Sequence, residues 1–322
     1  MIASLPNSLA AAIENEISAS SAEGLRTAAQ SLSRAYRSRE GIPRRLSPIE
    51  RAAYLAVRFP STFAVADAVW RMFAGVVDTA SVGTVADLGA GPGTAALAAR
   101  GWLPATTGFT LVERDEGWRA TADRLARAMH MRMTFRNAAL SSDDPAPHDV
   151  IVACYALGEL AQDERAKLTE RLWANARQAL VVIEPGTPAG FALIRQVREQ
   201  AIAEGAKAAA PCTHSLTCPM TLKDWCHLPV RVARAALHRS VKQAPLPYED
   251  EKFSYLILTR DEPSRRATGR IVRKPIKNPG HVHLDVCAAG ELRRVTIGKS
   301  AGAAYRTARD ASWGDAWEQG EG

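Results

Sequence analysis

Cysteine, aromatic residues and long apolar runs are all scarce in this 322-residue chain. It has five cysteines, and Phe, Trp and Tyr together make up 6% of its residues. The first twenty residues lack the basic segment and continuous apolar run of a signal peptide. Glu14 and Glu16 argue against a transit peptide, which is poor in acids. No apolar run approaches the length of a membrane span. We therefore predict a cytoplasmic protein with reduced thiols and no membrane contact.

The composition is that of a globular, moderately basic protein. Hydrophobic residues, many of them alanine, form 47% of the chain, which suits a helix-rich core. Lys and Arg number 41 against 34 Asp and Glu, which gives a formal net charge of +7. This balance permits an anionic partner such as nucleic acid but does not require one.

The first 260 residues predict an α/β fold with a helical cap. Residues 1–80 read as helices, one with Ser47 as its N-cap and another starting at Ser61. Over 81–260 strands alternate with helices, which predicts a doubly wound, Rossmann-like parallel sheet. The predicted strands lie after Val82 and at 108–112, 131–136, 149–154, 179–184 and 249–260.

The last region, 261–322, differs in composition from the sheet region. It begins with a polar linker and is rich in Arg and Lys. Three short alternating stretches over 269–297 predict a small antiparallel β unit. From Tyr305 onwards we predict a short helix and a frayed tail.

A glycine-rich turn after the first predicted strand is the clearest ligand-binding signal. It reads DLGAGPGT (87–94), and glycines let a backbone turn sharply beside a ligand. The pattern acid-x-G-x-G-x-G differs from the dinucleotide fingerprint G-x-G-x-x-G. It resembles the loop of class I S-adenosylmethionine-dependent methyltransferases. The predicted cofactor-binding residues are Asp87, Gly89, Gly91, Gly93 and, at the end of the second strand, Glu113. The alternative is a glycine turn that binds nothing.

No catalytic residue can be assigned from the sequence. After the fourth strand the chain reads ACYALGEL (153–160), without the Asn/Asp-Pro-Pro-aromatic motif of methyltransferases that act on exocyclic amines. Cys154 has about the place of a C5-pyrimidine methyltransferase nucleophile but lacks the preceding proline. We interpret it as a small buried cysteine. Glu159 and Glu184 lie near strand ends and could line the pocket.

Three of the five cysteines fall in one stretch, PCTHSLTCPMTLKDWCHLP (211–229), which predicts a cysteine-rich metal insertion at 210–229. Their spacing is too wide for a zinc knuckle. Cys287, at the end of HVHLDVC, is the remaining candidate for a fourth ligand. The predicted metal ligands are therefore Cys212, Cys218, Cys226 and Cys287. Four thiolates complete either an iron–sulfur cube or an all-cysteine zinc site. His214 and His227 are alternative ligands, or hydrogen-bond donors to the ligands.

Several segments resemble the Rsm22 family, methyltransferase-like proteins associated with the small ribosomal subunit. The matching segments are YLAVRFPSTFA (54–64), VADLGAGPGTA (85–95), YALGEL (155–160), VVIEPGTPAGF (181–191), APCTHSLTCPM (210–220), DWCHLPVRVAR (224–234), YEDEKFSYL (248–256) and GHVHLDVC (280–287). The family's usual Pro-Cys-Pro-His reads Pro-Cys-Thr-His here, which leaves Cys212 and His214 in place.

The resemblance implies a [4Fe–4S] cluster on the four cysteines and S-adenosylmethionine at the glycine loop. It also implies a role in assembly or stabilisation of the small ribosomal subunit through its rRNA. Such a cluster would join the basic C-terminal unit to the cofactor-binding sheet.

Three function classes remain open at this point. The first is a methyltransferase-like protein that acts on or binds small-subunit rRNA and ribosome assembly intermediates. The second is a catalytically inactive assembly factor with the same fold. The third, an enzyme acting on a small molecule or a protein, is supported by the glycine loop alone. The candidate rRNA-contacting residues are Arg231, Arg234, Arg239, Lys242, Arg265, Arg266, Arg270, Arg273, Lys274 and Lys277.

Overall fold

The computed structural model describes residues 2–38, 45–140, 145–221, 223–242 and 245–318. The helices in these ranges are α1 (Asn7–Ile17), α2 (Ala22–Ser38), α3 (Pro48–Val57), α4 (Phe59–Ala74), α5 (Thr94–Ala99), α6 (Glu116–Ala128), α7 (Gln162–Asn175), α8 (Pro188–Ala203), α9 (Ala236–Lys242) and α10 (Ala303–Asp310). The strands are β1 (Thr84–Leu88), β2 (Gly108–Val112), β3 (Met133–Arg136), β4 (His148–Cys154), β5 (Ala176–Pro185), β6 (Lys207–Ala210), β7 (Leu228–Ala233), β8 (Tyr248–Thr259), β9 (Gly269–Ile271), β10 (Ile276–Lys277), β11 (His281–Ala288), β12 (Glu291–Gly298) and β13 (Ala316–Trp317). None of the described helices has both the length and the apolar character needed to cross a bilayer.

The large sheet has the order β3-β2-β1-β4-β5-β8-β6, with β7 paired to the first half of β8. Strands β1 to β5 run parallel, and β8 runs antiparallel to β5. Helices α1–α6 cover one face, and α7 and α8 cover the other. The Rossmann-like doubly wound sheet is therefore confirmed, although it is mixed rather than parallel. Its strand order reverses between β1 and β4, which is where such folds bind ligands.

The N-terminal helices begin close to their predicted starts. Ser47 and Glu50 form a capping box: Glu50 N donates to Ser47 Oγ, and Ser47 N donates to Glu50 Oε2 at 2.9 Å. α4 begins at Phe59 rather than at the predicted Ser61. Pro60 sits in the first turn of that helix, where a missing N–H donor costs nothing.

The sequence predicts the cysteine stretch to be an insertion, and the structure corrects this: the stretch connects two strands of the large sheet. It follows β6 and runs into β7, and both strands pair with β8. The short β6 segment KAAA has no β-branched residue, so its propensity did not indicate a strand. β7 contains Pro229, which a strand tolerates at an edge. The partner β8 lies far along the chain, and only the folded structure reveals the pairing.

The C-terminal region folds as the predicted antiparallel unit, with one correction. β11 pairs with β9, β10 and β12, and its alternate side chains pack against α10. The predicted frayed tail instead contains β13, which pairs with β9 and buries Trp317 in the core of this unit. A strand of two residues is too short to show an alternating sequence pattern, so only its pairing with the distant β9 reveals it.

In the turn after β5, the start of α8 approaches the end of β5 so closely that only glycine fits between them. A Cβ at Gly190 would lie 2.1 Å from the Pro185 carbonyl oxygen. We expect Gly190→Ala to lower the free energy of unfolding by about 1–3 kcal/mol, because backbone must move to admit the methyl group. Denaturant unfolding measures this. Gly280→Ala is the control and should change stability by less than about 0.5 kcal/mol, since its Cβ meets no atom within 4 Å. Equal stability of the two variants would contradict the expectation.

Candidate functional site

The glycine loop lies where the carboxyl ends of β1 and β2 meet. Gly89, Gly91 and Gly93 have φ angles of +64°, +52° and +77°, a region that favours glycine. A Cβ at Gly89 would lie 2.9 Å from the Ala156 Cβ, and one at Gly93 would lie 2.9 Å from the Leu111 Cδ2. A Cβ at Gly91 would meet no atom within 4 Å. The loop is thus packed at its two ends and faces open space in the middle, as a ligand cradle requires.

Asp87 and Glu113 support this loop from neighbouring strands. Asp87 is 1% exposed, and its Oδ2 accepts a hydrogen bond from Ala96 N at 3.0 Å. Burial raises the pKa of Asp87 to about 8, an effect that this hydrogen bond partly opposes. Glu113 Oε2 accepts from Gly91 N at 2.9 Å, and Oε1 accepts from Asp115 N at 2.8 Å. Both carboxyl groups retain acceptor capacity for a bound ligand.

The protonation of Asp87 links stability to pH. Its pKa rises from 3.8 to about 8 on folding, so its contribution to stability is fully present below pH 4 and declines as pH rises towards 8. Asp87→Asn removes this dependence. Relative to wild type, we expect the variant to gain on the order of 2 kcal/mol between pH 6 and pH 8. Denaturant titrations of both proteins without cofactor measure the gain. A difference that does not change with pH would show that Asp87 is already ionised at pH 6.

Glu184 positions the loop that follows β4. Its Oε1 accepts from Leu157 N at 3.0 Å, and Gly158 N also donates to the carboxyl group. The side chain is 2% exposed, and burial raises its pKa to about 8. Glu184 therefore holds the loop backbone in place, a role that the sequence did not indicate. Burial also raises the pKa of Glu159, with a further contribution from Glu113.

Tyr155 is a feature that sequence reasoning missed. Its φ of +56° is strained for an aromatic residue, and its buried Oη has no hydrogen-bond partner in the described ranges. In the sequence, Tyr155 was marked only as the first residue of the segment YALGEL, which resembles the family. The adjacent Cys154 thiol has a pKa raised well above its usual value by burial, and further by Asp87 and Glu184. A neutral thiol is a poor nucleophile, which agrees with the interpretation of Cys154 as a buried structural residue.

The four predicted metal ligands line one pocket. Its thiols are Cys212, Cys218, Cys226 and Cys287. The first three come from the chain between β6 and β7, and the fourth lies on β11 of the small sheet. Most of the remaining wall is apolar, from residues of α8, β8 and the cysteine stretch itself. The fold therefore brings a residue of the C-terminal unit to a pocket on the large sheet.

Burial and mutual proximity raise the pKa of three of these thiols, Cys218, Cys226 and Cys287. Burial raises the pKa of Cys226, and Cys212, Cys287 and Cys218 raise it further. Burial and its cysteine neighbours raise the pKa of Cys287 to about 12. Positive charge entering the pocket would favour the thiolate form of these three. Within the described residues, however, no group of three or more His, Cys, Asp and Glu is placed so that it could hold a metal ion.

Buried polar atoms without partners surround the same pocket. Those in the described ranges are Thr213 Oγ1, His214 Nδ1, His227 Nε2, Arg198 Nε and Tyr255 Oη. The other ring nitrogen of His214, Nε2, lies 3.7 Å from Cys287 Sγ. Burial lowers the pKa of both histidines, so that their rings are neutral at pH 7. Because unsatisfied buried polar atoms are costly, the pocket fits a further group or ordered water.

Three aromatic rings, Trp225, His227 and Trp313, form what we term the aromatic latch. Trp225 Nε1 donates to the Gly186 carbonyl at 3.0 Å, and its ring stacks on His227 with centroids 5.2 Å apart. His227 meets Trp313 edge-on at 4.8 Å. The latch thus connects the end of β5, the cysteine stretch and the C-terminal unit.

Half of the predicted rRNA-contacting cations are already engaged within the chain. The ion pairs are Arg231–Asp250, Arg234–Glu249, Arg266–Glu262 and Arg273–Asp224. Arg270 donates to the carbonyls of Pro211 and Gly314. The side chain of Lys242 lies outside the described residues. The remaining four form no ion pair with another described residue: Arg239, Arg265, Lys274 and Lys277.

Among solved structures, methyltransferases show low similarity to this chain. It is 12% identical to a magnesium protoporphyrin IX methyltransferase from Synechocystis with bound SAH, at a TM-score of 0.43, covering 72% of this chain and 94% of that one. It is 14% identical to an O-methyltransferase family protein from Burkholderia thailandensis, at a TM-score of 0.42, covering 66% and 60%.

Two curated relatives are closer in sequence. The chain is 26% identical over 289 residues to the human "Ribosome assembly protein METTL17, mitochondrial", covering 81% of this chain and 61% of the relative. It is 24% identical over 286 residues to "Rsm22-cox11 tandem protein 2, mitochondrial" of Schizosaccharomyces pombe, covering 72% and 38%. The chain thus spans less than two thirds of the length of either relative.

A family described as "Mitochondrial small ribosomal subunit Rsm22" matches residues 48–318. This range includes the glycine loop, the cysteine pocket, the aromatic latch and the C-terminal unit. The chain belongs to the Rsm22 family.

Proposed function

We propose that this protein is an assembly factor of the small ribosomal subunit, which binds S-adenosylmethionine and small-subunit rRNA. The family match over residues 48–318 carries the proposal. The name of the human relative, a ribosome assembly protein, supports the assembly role. The net charge of +7 supports an RNA partner. Location in the cytoplasm and the division into regions 1–80, 81–260 and 261–322 stay predictions.

The test of this function is association with small-subunit particles. A tagged chain should co-sediment with precursors of the small subunit and should bind their rRNA after the proteins are removed. Washing with increasing salt should weaken binding steadily, because cations release counterions from the phosphates. Sedimentation only as free protein, at every salt concentration, would overturn the proposal.

The cofactor would lie between the glycine loop and the loop after β4. The open space beside Gly91 leaves room for it, and Glu113 is placed to accept hydrogen bonds from its ribose hydroxyls. Asp87 fixes the start of α5 and so the shape of the loop. S-adenosylmethionine supplies an electrophilic methyl group when it is bound.

We expect Gly91→Asn to weaken S-adenosylmethionine binding at least about tenfold. Asparagine tolerates the left-handed backbone, but its side chain would occupy the open space over the loop. Equilibrium dialysis with labelled cofactor measures the loss. Gly205→Asn is the control, because Gly205 also has positive φ and an open Cβ position but follows α8. Unchanged binding by the Gly91 variant would place the cofactor elsewhere.

Methyl transfer to rRNA is a second candidate function, which the open space at Gly91 favours. The loop after β4 carries no recognised acceptor motif, and Glu184 is committed to holding the backbone of that loop. Incubation with labelled cofactor and small-subunit precursors separates the two functions. Label in rRNA supports the enzyme, whereas retained binding without label supports an assembly factor that does not catalyse.

We further propose that the cysteine pocket holds a [4Fe–4S] cluster, as the family resemblance implies. Four thiols in one pocket and the partnerless polar atoms around it support this. A cube binds one thiolate at each corner, so its ligands stand farther apart than those around a single ion. The described residues do not themselves form a metal site, so metal analysis of the purified protein decides the proposal. An all-cysteine zinc site is the alternative.

A further inference from the structure

One face of the C-terminal sheet is left exposed. Val282, Leu284 and Val286 of β11 are buried against α10, whereas His281 and His283 alternate with them and lie on the opposite face. Among the described helices, α10 makes the main contacts with β11 and β12, and it packs on the face of Val282, Leu284 and Val286.

Strand register arranges a row of side chains across this exposed face. His283 of β11 lies between Ile276 of β10 and Thr296 of β12. Ile276 is 47% exposed, and His281 stands beside His283 on the same strand. We call these four residues the histidine platform. Ile276 and Thr296 are exposed, and each of the two histidines is half-buried and so partly accessible to solvent.

The two rings of the histidine platform are held in place. Their centroids are 4.7 Å apart at an interplanar angle of 68°. His283 Nδ1 lies 2.8 Å from Thr296 Oγ1, and His281 Nε2 lies 3.1 Å from Asn278 Nδ2. Rings that are already ordered lose little conformational freedom when a ligand stacks on them.

Cations flank the platform at the β10–β11 hairpin. Lys277 pairs with Val282 on the edge strand β10, so its side chain leaves the sheet on the face opposite His283, at the edge of the hairpin. Lys299 follows β12, and its N donates to the Gly280 carbonyl at 2.8 Å. Arg309 of α10 donates to the Asn278 carbonyl at 3.3 Å. None of the three has an ion pair with another described residue, in contrast to Arg231, Arg234 and Arg273. Their charge is therefore available to an anionic partner.

Rings next to cations that form no ion pair with a described residue are suited to single-stranded nucleic acid. Unpaired bases stack on aromatic side chains, including histidine, while phosphates bind Lys and Arg. Paired bases in a duplex cannot stack on a protein surface, so the platform would select single strands. At the other end of the row, Asp285 and Arg294 form an ion pair at 2.8 Å.

We propose that the histidine platform stacks on unpaired bases of RNA while Lys277, Lys299 and Arg309 bind the adjacent phosphates. This inference rests on the proposed rRNA binding and names the surface responsible. It also explains how the chain can bind RNA although many of the cations predicted from sequence are paired internally.

The test measures fluorescence anisotropy of the full chain with a labelled single-stranded oligoribonucleotide and with a duplex of the same sequence. We expect tighter binding of the single strand. The double variant His281→Ala/His283→Ala should weaken that binding about tenfold, since each stacked base contributes about 1–3 kcal/mol. His281→Phe/His283→Phe keeps two rings and should restore it.

Charge is tested separately. Lys277→Ala/Lys299→Ala should lower the slope of log Kd against log salt by about 1.4, for two phosphate contacts on a single strand. Arg127→Ala/Arg177→Ala removes the same charge from exposed residues elsewhere and is the matched control. Ultraviolet crosslinking of wild type, mapped by peptide mass, checks the site without any variant and should mark residues 276–283.

The outcomes separate the two proposals. If wild type binds neither RNA, the rRNA-binding function fails. If wild type binds RNA while the histidine and lysine variants bind equally well and crosslinks fall outside 276–283, the platform is overturned and the function stands. Equal affinity for duplex and single strand would also overturn base stacking.

Discussion

Replacing any one of the four pocket cysteines with serine is expected to abolish the retention of iron. Wild type purified without oxygen should be brown and contain about four irons per chain. Each variant should be nearly colourless, because each thiolate binds a different corner of the cube. The four variants are Cys212→Ser, Cys218→Ser, Cys226→Ser and Cys287→Ser.

The fifth cysteine provides the matched control. Cys154 lies at the end of β4, where burial, Asp87 and Glu184 raise the pKa of its thiol. Cys154→Ser should therefore retain full iron content and colour. A colourless wild type with one zinc per chain would refute the cluster, and so would full iron content in any of the four pocket variants.

The same four variants should also lose stability. Metal binding free energy is folding free energy when the site does not exist in the unfolded chain. Cys287 is separated from the other three thiols by β7, β8 and part of the C-terminal unit. Loss of the cluster should therefore loosen that unit first. Limited proteolysis within the polar linker 261–268 should become faster in the Cys287 variant than in wild type.

Removal of Trp225, the ring of the aromatic latch that bonds to the Gly186 carbonyl, should have the second largest effect. We expect Trp225→Ala to lower the free energy of unfolding by about 3 kcal/mol. This is the low end of the range for tryptophan, because Trp225 is half-buried. The variant loses both the hydrogen bond to the Gly186 carbonyl and the stack on His227. Denaturant unfolding measures the loss.

Two controls separate the latch from general destabilisation. Trp225→Phe keeps a ring against His227 and loses only the hydrogen bond, so its cost should be about 1 kcal/mol. Trp102 is also half-buried and donates Nε1–H to Asp67 at 2.8 Å, but it packs on the other face of the sheet. Trp102→Ala should destabilise the chain without speeding cleavage in the linker. Similar cleavage rates in both alanine variants would show that Trp225 does not hold the C-terminal unit.

Local patterns in the sequence were enough for much of the fold. The capping box at Ser47, the glycine loop before α5 and the alternation of β11 all depend on neighbours within a few residues. The family membership could also be inferred, because the DWCH segment and the cysteine spacing are specific. β6, β7 and β13 were missed because each is stabilised by a distant partner strand.

The candidate sites divide in the same way. Sequence by itself identified the residues of the glycine loop and the four cysteines. The reason is that the missing side chain of glycine and the thiol of cysteine suit these roles whatever the fold around them. Only the tertiary structure decided which polar groups are free to act. It assigned Glu184 to the loop after β4 and paired Arg231, Arg234 and Arg273 with acids.

The sequence therefore determined the family and the sheet, and the proposed ligands follow from its motifs. The tertiary structure decided how the cysteine stretch, the end of β5 and the C-terminal unit meet through Trp225 and Trp313. It also decided that His281 and His283 remain partly exposed, near cations that form no ion pair with another described residue. The physical reason is that burial, ion pairing and ring contacts depend on residues far apart in the chain, which no local pattern records.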